Sequence, residues 1–287
     1  VTRTRVLTAL VLVPAVLALV IWGPNWLVAA AIGAVILLSL HEFFAIGAAA
    51  QMQGFKKWAM VCAVVLVALR LEEAMRTFTP SRALLKVWLP PEYALLLFVL
   101  GAGVLMVRNR QPVGATLSRF GVSAAAMLFV AYPLSFLVLL QSAAHTERAG
   151  LLAALVLVWV GDTAAYFAGR AWGRRLLAPE ISPKKTWVGA IANLLAAWLV
   201  VGVVCPVFRE GLGRAEWLGW FGLATVVSVA GQIGDLAESA FKRSAGVKDA
   251  GSLLPGHGGM LDRIDALLLA APAAWVYLTF VARMFPR

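Results

Sequence analysis

Long apolar runs separated by short polar connections make up the chain. The runs occupy approximately 6–22, 26–47, 58–69, 93–107, 120–140, 151–168, 187–208, 217–241 and 264–285, nine in all with the third short. None has the residue-by-residue alternation of polarity that marks a transmembrane barrel strand, and 151–160 and 194–204 carry no polar side chain at all. Each run is therefore predicted to be a helix, and about 20 apolar residues suffice to cross a bilayer. The expected fold is an all-α, polytopic membrane bundle of about nine transmembrane helices. About five spans fall in 1–150, and about four in a C-terminal region, 151–287, that holds most of the polar motifs.

The first run follows Arg3 and Arg5, as a signal peptide would, but no small-x-small cleavage pattern succeeds it, so it reads as a retained first span. Tryptophans at Trp22, Trp26, Trp58, Trp187, Trp217 and Trp220 fall at run ends, where an amphipathic ring prefers the headgroup level.

Composition agrees with the pattern: of 287 residues 62% are apolar and 14% charged, against roughly 45–50% and about 25% in soluble domains. Cys62 and Cys205 sit inside apolar runs with no Cys/His cluster near them, which excludes a disulfide framework or zinc site and leaves two packing residues. The formal charge of +11 would raise the question of nucleic acid in a soluble chain. Here it maps onto one side of the membrane instead, and no nucleic-acid partner is called for. With the N-terminus inside, cytoplasmic connections collect sixteen of the 25 Lys and Arg, and the orientation is N-in, C-out. Four of the other nine, Arg70, Arg76, Arg82 and Lys86, are assigned to one external loop together with Glu72 and Glu73.

Charge is also unevenly spread: 15 of 39 charged residues lie in 170–186 and 235–265, which are 48 of the 287 positions. Acids inside apolar runs cost about 2.5–3.5 kcal/mol on insertion scales, so each calls for a partner or a task. Glu42 could accept from a lysine or a neighbouring helix, with a structural ion pair as the plain reading. Asp162, with Tyr166 four residues on, could orient a lysine or hold a metal. Asp235, Glu238 and Ser239 share a helix face, and Asp262 and Asp265, at i and i+3, are predicted to point the same way.

Between these acids lies a glycine-rich connection ending in Gly256-His257-Gly258-Gly259. Backbone N–H groups in such a turn can approach a phosphate closely, and carboxylates supply the hard oxygen ligands that magnesium takes together with substrate phosphates. A second basic stretch, Arg170 to Thr186, holds Lys184 and Lys185; with Lys242 and Lys248 these are four of the chain's seven lysines. A purely topological role would accept arginine equally well. Carboxylates, lysines and glycines in this combination point to polyphosphate binding.

The signature Ser239-x-Phe241-Lys242-Arg243-x4-Lys248-Asp249-x-Gly251-x2-Leu254-Pro255-x-His257-Gly258-Gly259-Met260-x-Asp262-Arg263-Ile264-Asp265 resembles that of the phosphatidate cytidylyltransferases, or CDP-diacylglycerol synthases, over 27 positions. Gly161-Asp162-Thr163-Ala164-Ala165-Tyr166 with Gly169-Arg170, and Ser182-Pro183-Lys184-Lys185-Thr186-Trp187, resemble the same family. Two positions depart from it: Val188 stands where many relatives have Glu or Gln, and Ala192-Asn193 replaces a glycine-rich pair.

The resemblance implies a cell (inner) membrane enzyme with its site on the cytoplasmic face. It would make CDP-diacylglycerol and pyrophosphate from CTP and phosphatidate, with magnesium, potassium as a second cation and a homodimer. On that basis Asp235 and Asp262 are the expected principal metal ligands, with Asp265 and Asp249 as further ligands or orienting groups. Lys242, Arg243, Lys248 and Arg263 are expected on phosphate oxygens, with Gly258 and Gly259 in the turn and Ser182, Lys184, Lys185 and Thr186 closing the site. His257 is expected as a turn residue or phosphate hydrogen-bond donor rather than a covalent nucleophile. Asp162, Tyr166, Glu238 and Ser239 are assigned supporting roles. The competing readings are a CTP-dependent lipid kinase, which would transfer the γ-phosphate, and a secondary transporter, which should show inverted repeats and polar groups at the midplane.

Overall fold

The computed structural model describes residues 2–78, 88–108, 113–142, 149–208, 214–251 and 258–284. The described residues are nearly all helical. The helices are α1 (Thr2–Trp22), α2 (Asn25–Ala49), α3 (Lys56–Phe78), α4 (Glu92–Arg108), α5 (Thr116–Ala125), α6 (Tyr132–Ser142), α7 (Ala149–Trp172), α8 (Trp187–Phe208), α9 (Arg214–Ser244), α10 (Leu261–Ile264) and α11 (Leu267–Met284). Every predicted apolar run coincides with one of these or, at 120–140, with α5 and α6 joined by a π-helical stretch, Ala126–Ala131. By length and composition, five helical segments among the described residues are long and apolar enough to cross a membrane, and two shorter apolar helices, Leu10–Trp22 and Trp187–Val203, accompany them. The chain is a helical membrane protein.

Two compact units divide it. The first is Val1–Ala149 with Phe241–Ile264, and the second is Gly150–Ala240 with Asp265–Arg287. The signature segment, which the sequence places with the C-terminal region, thus packs among the N-terminal helices. In the first unit α3 packs against α2, α4 and α6, around fully buried Ile36, Leu40, Leu66, Met127, Leu134 and Leu140. Cys62 is buried in this core as a packing residue.

One boundary differs from expectation. Arg70, Glu72, Glu73 and Arg76 lie on α3, not in an external loop; Arg82 and Lys86 lie outside the described residues. The helix continues past Leu69 because its charges are satisfied in place. Arg70 pairs with Glu73 at 2.7 Å, its guanidinium lies 4.3 Å from the Phe136 ring centroid and 5.1 Å from that of Tyr132, and Arg76 pairs with Glu72 at 3.0 Å. Paired, ring-stacked charges can be buried where isolated ones cannot.

In the second unit the basic stretch after α7 is a hairpin, β1 (Leu176–Ala178) and β2 (Ser182–Thr186), antiparallel with Leu176 opposite Thr186 and Ala178 opposite Ser182. The last apolar run is interrupted by a turn at Asp265 and Ala266. That turn separates α10, in the first unit, from α11, in the second, so Asp262 and Asp265 do not follow one regular helix as expected.

Candidate active site

In the first unit the signature folds around two carboxylates, those of buried Glu42 and half-buried Asp262. Lys242, near the end of α9 and only 7% exposed, donates to Asp262 Oδ1 at 2.6 Å. Asp262 Oδ2 accepts the N–H groups of Ala250 (3.0 Å) and Gly259 (2.9 Å), tying both sides of the glycine-rich connection to one side chain. Gly258 has φ +82°, and a Cβ there would lie 2.9 Å from Asp262 Oδ2, so the position is closed to other residues on both counts.

Glu42, from α2, accepts Met260 N–H at 2.9 Å and Leu261 N–H at 2.7 Å. Phe241 packs edge-on against Phe43 of α2 (5.2 Å) and Phe129 of the π-helical stretch (5.0 Å). Arg243, Lys248, Asp249 and Arg263 are exposed. Arg243 also donates to the Val247 carbonyl at 3.1 Å. His257 lies outside the described residues.

The second unit carries the other acids. Lys185, on β2, pairs with Asp235 of α9 at 2.6 Å. Asp265 lies within electrostatic reach of Asp235 and Glu238, and its Oδ1 accepts Ala266 N–H at 2.8 Å. Asp235 and Glu238 thus share the face of α9 that their spacing predicts. Glu238 and Ser239 are buried. Asp162 is within electrostatic reach of Asp235 and Lys185 and accepts from Asn193 Nδ2 at 3.2 Å. Tyr166 accepts from Arg170 at 3.1 Å. Thr186 is buried and caps α8, its Oγ1 accepting Gly189 N–H at 3.1 Å, while Ser182 is half-buried and Lys184 exposed.

No group of three or more acid, histidine or cysteine side chains is arranged to hold a metal ion among the described residues. Magnesium does not need such a cage, since it binds through one or two carboxylates plus substrate phosphates. The donor chemistry fits that mode. Asp235 and Asp262 each meet a lysine ammonium, so each site already holds a carboxylate against a cation.

A family model described as the cytidylyltransferase family matches residues 3–281. The chain belongs to the cytidylyltransferase family. It is 37% identical over 270 residues to a phosphatidate cytidylyltransferase of Pseudomonas aeruginosa, covering 94% of both chains. It is 33% identical over 191 residues to one of Thermotoga maritima, covering 65% of this chain and 69% of that one. To one of Haemophilus influenzae it is 44% identical over 133 residues, and there the match spans about half the relative's length, 46%.

Two residues of this chain were given no functional role by its sequence. Glu42 drew notice as an acid in an apolar run, but among the described residues its partners are backbone amides rather than a cation. Asn193, one of the two departures from the family pattern, is a hub: beyond its bond to Asp162 it accepts from Ser228 Oγ at 2.7 Å, and Gln232 Nε2 donates to Ser228 at 3.2 Å. Its amide lies against Gly161, where a Cβ would come within 2.7 Å of Asn193 Oδ1. Glycine on α7 makes room for asparagine on α8, a pairing that only the three-dimensional contact reveals.

Proposed function

We propose that this chain is a phosphatidate cytidylyltransferase of the cell (inner) membrane, working at the cytoplasmic face, that makes CDP-diacylglycerol and pyrophosphate from CTP and phosphatidate. The observation that carries the reading is the signature segment held as a cradle. Its carboxylate is neutralised by lysine, its glycine turn is fixed by backbone hydrogen bonds, and Arg243, Lys248 and Arg263 are exposed around it. The family membership points to the same chemistry.

A phosphate oxygen of phosphatidate attacks the α-phosphorus of CTP. The bond from that phosphorus to the bridging oxygen breaks, and pyrophosphate leaves with the electron pair. The nucleophile is already ionised at neutral pH, so the barrier lies in anion repulsion and leaving-group charge, which positioned cations lower. Lys242, Arg243, Lys248 and Arg263 meet phosphate oxygens, Gly258 and Gly259 admit them close to the backbone, and in the second unit Ser182, Lys184 and Lys185 are further phosphate contacts. Asp262, supported by Asp249 in the first unit, and Asp235, supported by Asp265 in the second, would each offer a carboxylate ligand to magnesium. When bound, the metal supplies further neutralisation of phosphate charge. The same reading includes potassium as a second cation and a homodimer.

The test is transfer from CTP labelled in the cytidine, and separately in the γ-phosphate, to phosphatidate in detergent. Cytidine label in the lipid with release of labelled pyrophosphate is expected. Label entering lipid only from the γ-phosphate would replace the reading with a CTP-dependent lipid kinase.

A further inference from the structure

We infer that Glu42 is a positioning residue for the glycine-rich turn of the signature, a role that rests on the cytidylyltransferase reading above. Glu42 stands in α2, 218 residues before Met260, and is only 5% exposed. Its two oxygens are spent on consecutive N–H groups, those of Met260 and Leu261, where the turn enters α10.

These are among the donors that a helix start leaves without an intrahelical partner, and a carboxylate is the strongest acceptor for them. The fit is tight from two sides. A Cβ on Gly259 would stand 2.5 Å from Glu42 Oε2, and one on Gly251 2.7 Å from Oε1, so both glycines let the backbone close on this one side chain. Its neighbour Phe43 packs against Phe241, directly before Lys242. One turn of α2 therefore touches both ends of the signature: Phe43 at the end that presents Lys242, Glu42 at the end that presents Asp262.

An ion pair would fix one point. Two adjacent amides fix both the position and the orientation of the turn, and with it the Gly259 N–H that Asp262 accepts. A buried carboxylate that loses one of two such bonds leaves an N–H unsatisfied, and the turn shifts to find water. Misplacement by about 1 Å at a site that works by positioning can cost about 100-fold in rate.

The experiment compares the intact enzyme with Glu42→Gln, which keeps one acceptor oxygen, and Glu42→Ala, which keeps none. Two readouts are used. Amide hydrogen exchange over 258–262 tests the geometry whatever the reaction is. Steady-state kinetics with CTP and phosphatidate tests the consequence. Expected are faster exchange at Met260 and Leu261, a CTP KM raised about tenfold in Glu42→Ala and less in Glu42→Gln, and lower kcat in the same order. Loss of fold alone would reduce the amount of active enzyme and lower apparent kcat without moving KM. If Glu42→Ala does not accumulate, Glu42→Gln carries the test alone. Unchanged exchange, or CTP KM and kcat within twofold of the intact enzyme in the folded variant, overturns the inference. An intact enzyme that transfers no cytidine, together with faster exchange in the variants, overturns the reaction reading and leaves the turn assignment standing.

Discussion

Asp262 in the first unit and Asp235 in the second both face a lysine at 2.6 Å, yet what surrounds each pair differs. Around Asp262 the remaining partners are backbone: the amides of Ala250 and Gly259 on its second oxygen, with Glu42 holding the next two amides. Around Asp235 the partners are side chains: Asp265 beside it, Asp162 and Lys185 within reach, and the ladder from Asp162 through Asn193 and Ser228 to Gln232 joining α7, α8 and α9. Backbone amides are fixed in number and direction, so the first arrangement specifies a shape. Side chains can repack, so the second tolerates substitution that preserves hydrogen bonding. Gly251, Gly258 and Gly259 crowd the carboxylates of the first unit, and Gly161 makes room for the Asn193 amide in the second.

The comparison is tested hardest by removing the two central carboxylates in turn. Asp235→Asn and Asp262→Asn should each lower cytidylyl transfer by about 100- to 1000-fold, the scale of losing one group that stabilises transition-state charge. They should differ in amide exchange: Asp262→Asn speeds exchange at Ala250 and Gly259, and Asp235→Asn leaves both unchanged. Wild-type-like turnover in either, across a magnesium titration, would break the assignment.

Gly258→Ala addresses the first unit alone. The left-handed φ and the crowding by Asp262 should destabilise the turn by about 1–3 kcal/mol, and transfer should fall about 10- to 100-fold as the turn moves. Alanine at 258 with full activity would mean that the turn is not held as described. Asn193→Leu addresses the second unit. It removes a donor from Asp162 and an acceptor from Ser228 inside the helix packing, which should cost about 1–3 kcal/mol of stability. The thermal midpoint should fall while transfer stays within about tenfold.

Helices were legible in the sequence because apolar runs of spanning length leave few alternatives in a bilayer, and among the described residues the runs are helical apart from the turn at Asp265 and Ala266. Their ends were less so. Arg70 and Glu73 read as loop residues because sequence does not show the rings of Tyr132 and Phe136 that let a guanidinium be buried. Spacing on an unbroken helix carried over, as Asp235 and Glu238 share a face. Spacing across a helix start did not, since the turn at Asp265 and Ala266 gives Asp262 and Asp265 different neighbours. Lys242 and Asp262 were legible as chemistry from their signature but not as an ion pair. Glu42 carried a signal, an acid in an apolar run. Its partners are backbone amides, which every residue but proline has, so no side-chain pattern could have named them.

Thr186 separates the two kinds of role most finely, and the expected effect is the smallest. The sequence assigns its hydroxyl to phosphate. In the structure that hydroxyl is buried and accepts the Gly189 N–H at the start of α8. A cap lost to alanine costs about 1 kcal/mol, and serine restores it because the cap needs only the oxygen. If capping is the whole role, Thr186→Ala lowers the thermal midpoint slightly, leaves the CTP KM unchanged, and Thr186→Ser behaves as the intact enzyme. If the hydroxyl also meets a phosphate, Thr186→Ala raises the KM by several-fold beyond any change in stability. The first outcome is expected, because an oxygen already committed to a helix start and shielded from solvent has little left to offer a substrate.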